Sequence, residues 1–160
     1  MNTIIEGRQI ELADAGATLA AGVHLAPGLR GGMVVALSGE LGAGKTTLVR
    51  GMLRGLGWTA PVKSPTYTLV ESYEVASLYF YHFDFYRFSD SREWESTGFA
   101  EYFRPDSICV IEWPERLGPW LPRPDVSLRL EHAPSGRLLI LSAGSEAGSA
   151  CLAAYTAGAA

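Results

Sequence analysis

The sequence predicts an α/β domain whose mixed β-sheet is flanked by helices, and three observations predict it. Two short apolar runs, Met33–Ser38 and Ile108–Ile111, have the length and β-branched content of buried strands. Directly after the first run comes a glycine-rich loop, and then apolar residues at Leu48, Met52, Leu53 and Leu56 recur with helical spacing. Finally, two pairs of strand-like segments flank short turns, and hairpins of this kind make a sheet mixed instead of purely parallel. With 160 residues, 48% of them apolar, the chain is the size of one ordinary domain and has enough apolar surface to bury one core.

Taken in order, Asp14 is placed to cap a helix that runs to about Ala26, with Leu19, Val23 and Ala26 on one face. Pro27, Gly28, Gly31 and Gly32 break that helix before the strand Met33–Ser38. The loop Gly39–Gly44 leads into a helix over Lys45–Leu56, which Gly55 or Gly57 ends. Pro61–Thr66 reads as a loop. Tyr67–Val75 and Leu78–Phe85 are aromatic-rich strands joined by a tight turn near Ala76. Asp90–Phe103 suits one or two short helices. The strand Ile108–Ile111 ends in Glu112, and Pro114, Pro119, Pro122 and Pro124 punctuate the loop-rich stretch that follows. Val126–Leu130 and Arg137–Leu141 form a last hairpin around Pro134–Gly136. The division is therefore one domain over 1–143 and an Ala/Gly/Ser-rich tail over 144–160, which is either a loose helix or without order.

Composition narrows the function classes. A net charge of −4 argues against a stand-alone nucleic-acid binder, which carries a basic footprint, but not against work on RNA through a partner. The two cysteines, Cys109 and Cys151, have no spacing for zinc or a redox pair and read as free thiols of a reducing compartment. No apolar run reaches the length of a membrane span, and Met1–Ile10 lacks the apolar stretch of a signal peptide. The expected location is the cytoplasm.

Gly39-Glu40-Leu41-Gly42-Ala43-Gly44-Lys45-Thr46 fits G-x-x-x-x-G-K-[ST], the phosphate-binding P-loop. Glycines let the backbone N–H groups of such a loop turn inward around phosphate oxygens, and the helix that begins at its end points its positive dipole at the same anion. The buried strand before the loop and the amphipathic helix after it are the context this chemistry needs. Glu40, Leu41, Gly42, Ala43, Gly44, Lys45, Thr46 and Thr47 are the nucleotide-binding candidates. Lys45 is expected to reach the β- and γ-phosphates, and the hydroxyl of Thr46 to ligate magnesium.

A P-loop requires a carboxylate at the end of a neighbouring strand to complete its magnesium site. Asp84 ends one candidate strand and Glu112 another. His82 and Asp84 lie two apart, so in a strand they share a face. Either acid can hold the metal while the other orients or deprotonates the attacking water; alone, each can also be a surface cap or an ion pair with an arginine such as Arg87. The hydroxyls of Ser64, Thr66 and Thr68 lie between the P-loop helix and the aromatic strand, where a loop can sense the γ-phosphate or can be an ordinary Ser-Pro turn. The chain has one asparagine, Asn2, and no lysine after Lys63, so an N-K-x-D guanine reader is absent and ATP is the favoured nucleotide. Gln9 is the lone glutamine, which leaves the water-positioning role to a carboxylate or a partner.

At this point the chain resembles one family over roughly Ala13–Arg137: TsaE, the small P-loop ATPase of bacterial tRNA threonylcarbamoyladenosine synthesis. The resemblance rests on Thr18, Gly22 and Leu25-Ala26, on the whole of Ser38–Thr47, and on Ser64-Pro65-Thr66-Tyr67-Thr68-Leu69-Val70. It continues in His82-Phe83-Asp84-Phe85-Tyr86-Arg87, in Gly98 to Tyr102, and in Ile111-Glu112-Trp113-Pro114-Glu115-Arg116. Tyr67 stands where the family commonly has Phe, which keeps the ring.

The resemblance implies a P-loop NTPase domain with a mixed sheet. It implies ATP and Mg2+ as cofactors, weak ATPase activity, and association with TsaD-like and TsaB-like partners. Those partners transfer a threonylcarbamoyl group to adenosine 37 of tRNA, so tRNA is met indirectly and no membrane is involved. It also implies that Thr46, Asp84 and Glu112 surround the magnesium, and that Trp113, beside the site, bears on function. Two other classes remain in view: a small-molecule kinase, which phosphate transfer to a metabolite would reveal, and a nucleotide-gated binding module without turnover.

Overall fold

The computed structural model describes residues 7–158, with side chains described as far as Tyr155. Part of the N-terminal stretch (1–6) and the last two residues of the tail (159–160) lie outside it. Seven strands form one sheet in the order β1-β7-β6-β2-β5-β4-β3. They are β1 (Gly7–Leu12), β2 (Val34–Gly39), β3 (Val70–Val75), β4 (Leu78–Asp84), β5 (Ser107–Glu112), β6 (Val126–Ala133) and β7 (Gly136–Ala143). The helices are α1 (Ala15–Leu25), α2 (Lys45–Leu56) and α3 (Glu146–Gly158). The four central strands β6, β2, β5 and β4 are parallel, while β3, β7 and β1 pair antiparallel. The sheet is mixed and helix-flanked, as the hairpin signals require. No helix among the described residues is long and apolar enough to cross a membrane.

Each face of the sheet is covered differently. One core holds Val35, Leu37, Phe80, Ile108 and Val110 against α1, α2 and α3. On the opposite face, Val34, Tyr81, Phe83, Cys109 and Ile111 pack with Phe85, Phe88, Trp94 and Leu117, which come from loops and short 3-10 turns at Ser91–Ser96, Phe99–Tyr102 and Pro114–Trp120. The alternation along β4 and β5 therefore sends His82, Asp84 and Glu112 to the α2 side.

Asp14 caps α1, its carboxylate accepting from the Ala17 N–H at 2.8 Å. The buried face of α1 is Thr18, Ala21, Gly22 and Leu25, not the predicted Leu19, Val23 and Ala26 set, of which Ala26 alone is buried. The cause is a backbone-to-backbone crossing. A Cβ on Gly22 would strike the backbone of Leu48 and Gly51, and one on Gly51 would strike the Leu19 carbonyl. Two glycines let the helices touch there, and apolar spacing does not register a contact made by an absent side chain.

Three further departures are local. Strand β1 pairs along β7 although Gly7–Leu12 alternates polar residues with isolated Ile10 and Leu12, too weak a pattern to read as a strand. Residues Thr66–Leu69 turn instead of extending, so the strand expected from Tyr67 begins at Val70. The Ala/Gly-rich stretch after Ala143 includes α3, whose Cys151, Leu152 and Tyr155 join the α-side core. Small residues let α3 lie against the Ala26–Gly28 turn, where a Cβ on Gly28 would meet the Cys151 backbone.

Candidate functional site

The parallel strands β2, β4 and β5 end at one edge of the sheet, and that geometry assembles the site. Leu37 of β2 pairs with Glu112 of β5, and Asp84 of β4 pairs with the same Glu112. The P-loop leaves β2 at this edge and enters α2 at Lys45. Gly42 and Gly44 have φ of 78° and 106°, a left-handed backbone that lets the loop wrap inward before the helix begins. The third of the motif's four variable positions and the fixed glycine before Lys45 thus carry the left-handed turns.

A cavity of about 320 Å³ opens between the P-loop, the loop before β3 and the ends of β4 and β5. Leu41, Gly42, Gly44, Lys45, Thr46 and Thr47 line it from the P-loop side. Facing them are Ser64, Thr66, Asp84, Glu112 and Trp113. Of the other sequence candidates, Ala43 is buried behind the loop, and Glu40 lines an open groove on the far side of it, together with Trp113, Glu115 and His132. Thr68 points away: its hydroxyl donates to Glu71 at 3.0 Å on the exposed surface. His82 lies beneath the floor, fully buried.

Lys45 is folded onto its own loop. Its ammonium donates to the carbonyls of Gly39 at 2.6 Å and Glu40 at 3.0 Å and lies 4.9 Å from the centre of the Trp113 ring. Burial pushes its pKa down, while the carboxylates of Glu112, Asp84 and Glu115 draw it back up. These carbonyls hold the cation where an incoming phosphate can replace them as its partner.

Thr66 donates to Asp84 Oδ2 at 3.3 Å, and the Ser64 and Thr66 hydroxyls are 2.9 Å apart. Asp84 Oδ1 accepts the Tyr86 N–H at 2.9 Å. Burial raises the Asp84 pKa; the Tyr86 N–H lowers it, the negative charge of Glu112 raises it further, and His82 and Thr66 offset part of the rise. No ion pair joins Arg87 to Asp84, the surface alternative for that acid; Arg87 instead stacks on Tyr67 at 4.9 Å. His82 Nε2 lies 2.6 Å from Glu112 Oε2, and Glu112 Oε1 has no hydrogen-bond partner among the described residues.

These oxygens suit a hard divalent cation. Two buried carboxylates and the threonine Thr46 line one cavity, where burial raises the Asp84 carboxyl and a bound cation would offset its charge. Two protein carboxylates are too few for a closed protein cage but fit magnesium, which keeps phosphates and waters among its ligands.

Two arginines outside the sequence's site candidates support the site: Arg116 stands only within the Glu112-Trp113 motif and Arg137 only at the end of the family resemblance. Arg137 of β7 donates from Nε to the Ala43 carbonyl at 3.0 Å and from Nη2 to the Gly42 carbonyl at 3.2 Å, bracing the back of the P-loop. Arg116 donates at 2.8 Å to both the Tyr86 and Phe88 carbonyls, tying the loop after Asp84 to the loop after Glu112. Arg116 also stacks on Trp113, which sits in the left-handed region at φ 57°, an uncommon conformation for a bulky residue. Their bracing contacts link segments far apart in the chain, so the fold and not the local pattern reveals what they do.

Comparison with known proteins bears on all of this. The family model for threonylcarbamoyl adenosine biosynthesis protein TsaE matches residues 12–139. The tRNA threonylcarbamoyladenosine biosynthesis protein TsaE of Haemophilus influenzae is 46% identical over 124 residues, 78% of this chain and 78% of that protein. The protein of the same description from Nostoc sp. strain PCC 7120 is 38% identical over 138 residues, 84% of each chain. The crystal structure of Bacillus subtilus YdiB is similar with a TM-score of 0.84 at 25% identity, over 100% of both chains.

Proposed function

The chain belongs to the TsaE family, and from that premise we propose that it is the ATP-binding and ATP-hydrolysing protein of tRNA threonylcarbamoyladenosine synthesis. The observation that carries the reading is the single cavity lined by Lys45, Thr46, Asp84 and Glu112 at the end of three parallel strands. In it the N–H groups of the P-loop and the start of α2 would surround the phosphates, and Lys45 would leave the Gly39 and Glu40 carbonyls for the β- and γ-phosphates. Thr46 and Glu112 would hold magnesium, Glu112 through its unengaged Oε1. Magnesium, when bound, neutralises charge on the phosphate oxygens. Asp84, whose Oδ2 is held only by the Thr66 hydroxyl, is then the group that orients the attacking water. Thr66 would report the state of that carboxylate to the loop around Tyr67.

The partners in this reading are TsaD-like and TsaB-like proteins, with tRNA met through them, and the compartment is the cytoplasm, in keeping with two buried free thiols. The experiment is ATP hydrolysis by the purified protein, alone and with the TsaB–TsaD pair, with Lys45→Ala as the blank. Strong stimulation by the pair, absent in the blank, is the expected result. Tight ATP binding without stimulation would sink the partnership, and wild-type-like ATP affinity in Lys45→Ala would sink the site itself.

A further inference from the structure

We propose that His82 is a positioning residue for the reaction: it holds one oxygen of Glu112 so that the other is presented to the magnesium nucleotide. The proposal rests on the nucleotide site described above and deepens it. His82 and Glu112 stand on adjacent parallel strands, where His82 is two residues before the register partner of Glu112 and on the same face. The ring is completely buried and Glu112 nearly so, with Nε2 and Oε2 2.6 Å apart. His82 Nδ1 is also buried and has no hydrogen-bond partner among the described residues. A proton there would be an orphaned buried donor, so the ring proton belongs on Nε2, where it is donated to Glu112.

One N–H therefore faces one carboxylate oxygen, and the histidine has no other polar contact. Its one hydrogen-bond partner among the described residues is Glu112. The consequence is geometric. Glu112 has three side-chain torsions, and without the Nε2–H its carboxylate is free to rotate toward the Lys45 ammonium, while the negative charge of Asp84 beside it on β4 pushes it away. With it, Oε2 is anchored and Oε1 is the oxygen available for the cation. Loss of a group that orients a metal-binding side chain in this way typically lowers metal affinity or activity by about 10- to 100-fold.

The test compares His82→Leu, which keeps the volume but not the donor, with His82→Gln, whose amide nitrogen can reach the place of Nε2. Binding of a fluorescent ADP analogue is measured without magnesium and then through a magnesium titration. Thermal melts establish that each variant is folded. His82→Leu is expected to keep its magnesium-free nucleotide affinity but to require roughly tenfold more magnesium for half-saturation, and to lose kcat for ATP with little change in KM. His82→Gln is expected to recover most of both losses. A folded His82→Leu protein with an unaltered magnesium half-point would overturn the proposal. So would an equal loss of magnesium-free affinity, or a glutamine variant as impaired as the leucine one. Should His82→Leu not fold, the glutamine variant against His82→Asn, whose amide nitrogen falls short of Nε2, decides the matter by the same readouts. Wild-type protein that binds no nucleotide at all would instead overturn the functional reading on which this rests.

Discussion

Asp84 and Glu112 stand side by side on the parallel strands β4 and β5, their Cα positions in register and both side chains about 5% exposed or less. Burial, with the negative charge of Glu112 beside it, raises the Asp84 carboxyl above its ordinary value, and a bound cation would offset that cost.

Asp84→Asn is accordingly expected to raise the melting temperature of the nucleotide-free protein and to slow ATP hydrolysis, while magnesium-dependent stabilisation by ATP, which rests on Thr46 and Glu112, largely persists. The sign follows from the raised carboxyl. The folded protein binds this proton more tightly than the unfolded chain, so the ionised group opposes folding at neutral pH. That penalty fades as pH falls through the folded-state pKa. The gap between variant and wild type is therefore expected to narrow as the pH is lowered from neutrality into the carboxylate range, and a gap that widened on acidification would contradict the assignment.

Arg137→Met removes the two donors that brace the Gly42 and Ala43 carbonyls. The expected cost is about 1.5–3 kcal/mol of stability, the scale of hydrogen bonds that involve a charged group. Nucleotide binding is expected to weaken as well, because the loop loses its support from β7. Calorimetric titration beside a thermal melt measures both. Unchanged affinity in a folded variant would mean that the loop holds its shape by itself.

The β3–β4 hairpin turns through Ala76 and Ser77, both left-handed at φ 55° and 63°. Neither residue favours that region, whereas an Asn-Gly pair adopts it readily. The double replacement Ala76→Asn with Ser77→Gly is expected to stabilise the protein by about 1 kcal/mol without altering ATPase activity, since the turn lies at the end of β4 opposite Asp84. Denaturant titration checks this, and a loss of stability would show that the turn is held by something other than its own torsions.

Cys109 and Cys151 are buried and their thiols are pushed up by burial to about 12 and about 11. At mildly alkaline pH the native protein is expected to resist alkylation at both and to react at both once unfolded, because the thiolate is the reactive form. Mass spectrometry after iodoacetamide treatment reads the two states. Rapid labelling of Cys151 in the native protein would show that α3 detaches from the core.

The legible parts of the molecule are those written in short-range pattern. Lys45–Leu56 forms a helix with the predicted bounds because its apolar period and Gly57 act within a few residues of each other. The strands that end in Asp84 and Glu112 were recognisable because a run of apolar residues closing on an acid needs no distant information. The buried face of α1 lies outside that short-range pattern because its contact with α2 is made by Gly22 and Gly51, which carry no side chain for a periodicity to count. The tail was open because an Ala/Gly/Ser composition supports a helix only where something covers it. Here Leu152 and Tyr155 find that cover in the α-side core.

By itself the sequence determined the phosphate loop, the strand-end acids and the mixed character of the sheet, because glycine spacing, side-chain period and turn chemistry are properties of neighbouring residues. Tertiary structure alone decided that His82 faces Glu112, that Thr66 caps Asp84, and that Arg137 braces Gly42 and Ala43. Those pairings depend on which strands lie adjacent, in what register and on which face of the sheet. That is settled by burial of the whole core and not by any local stretch of chain.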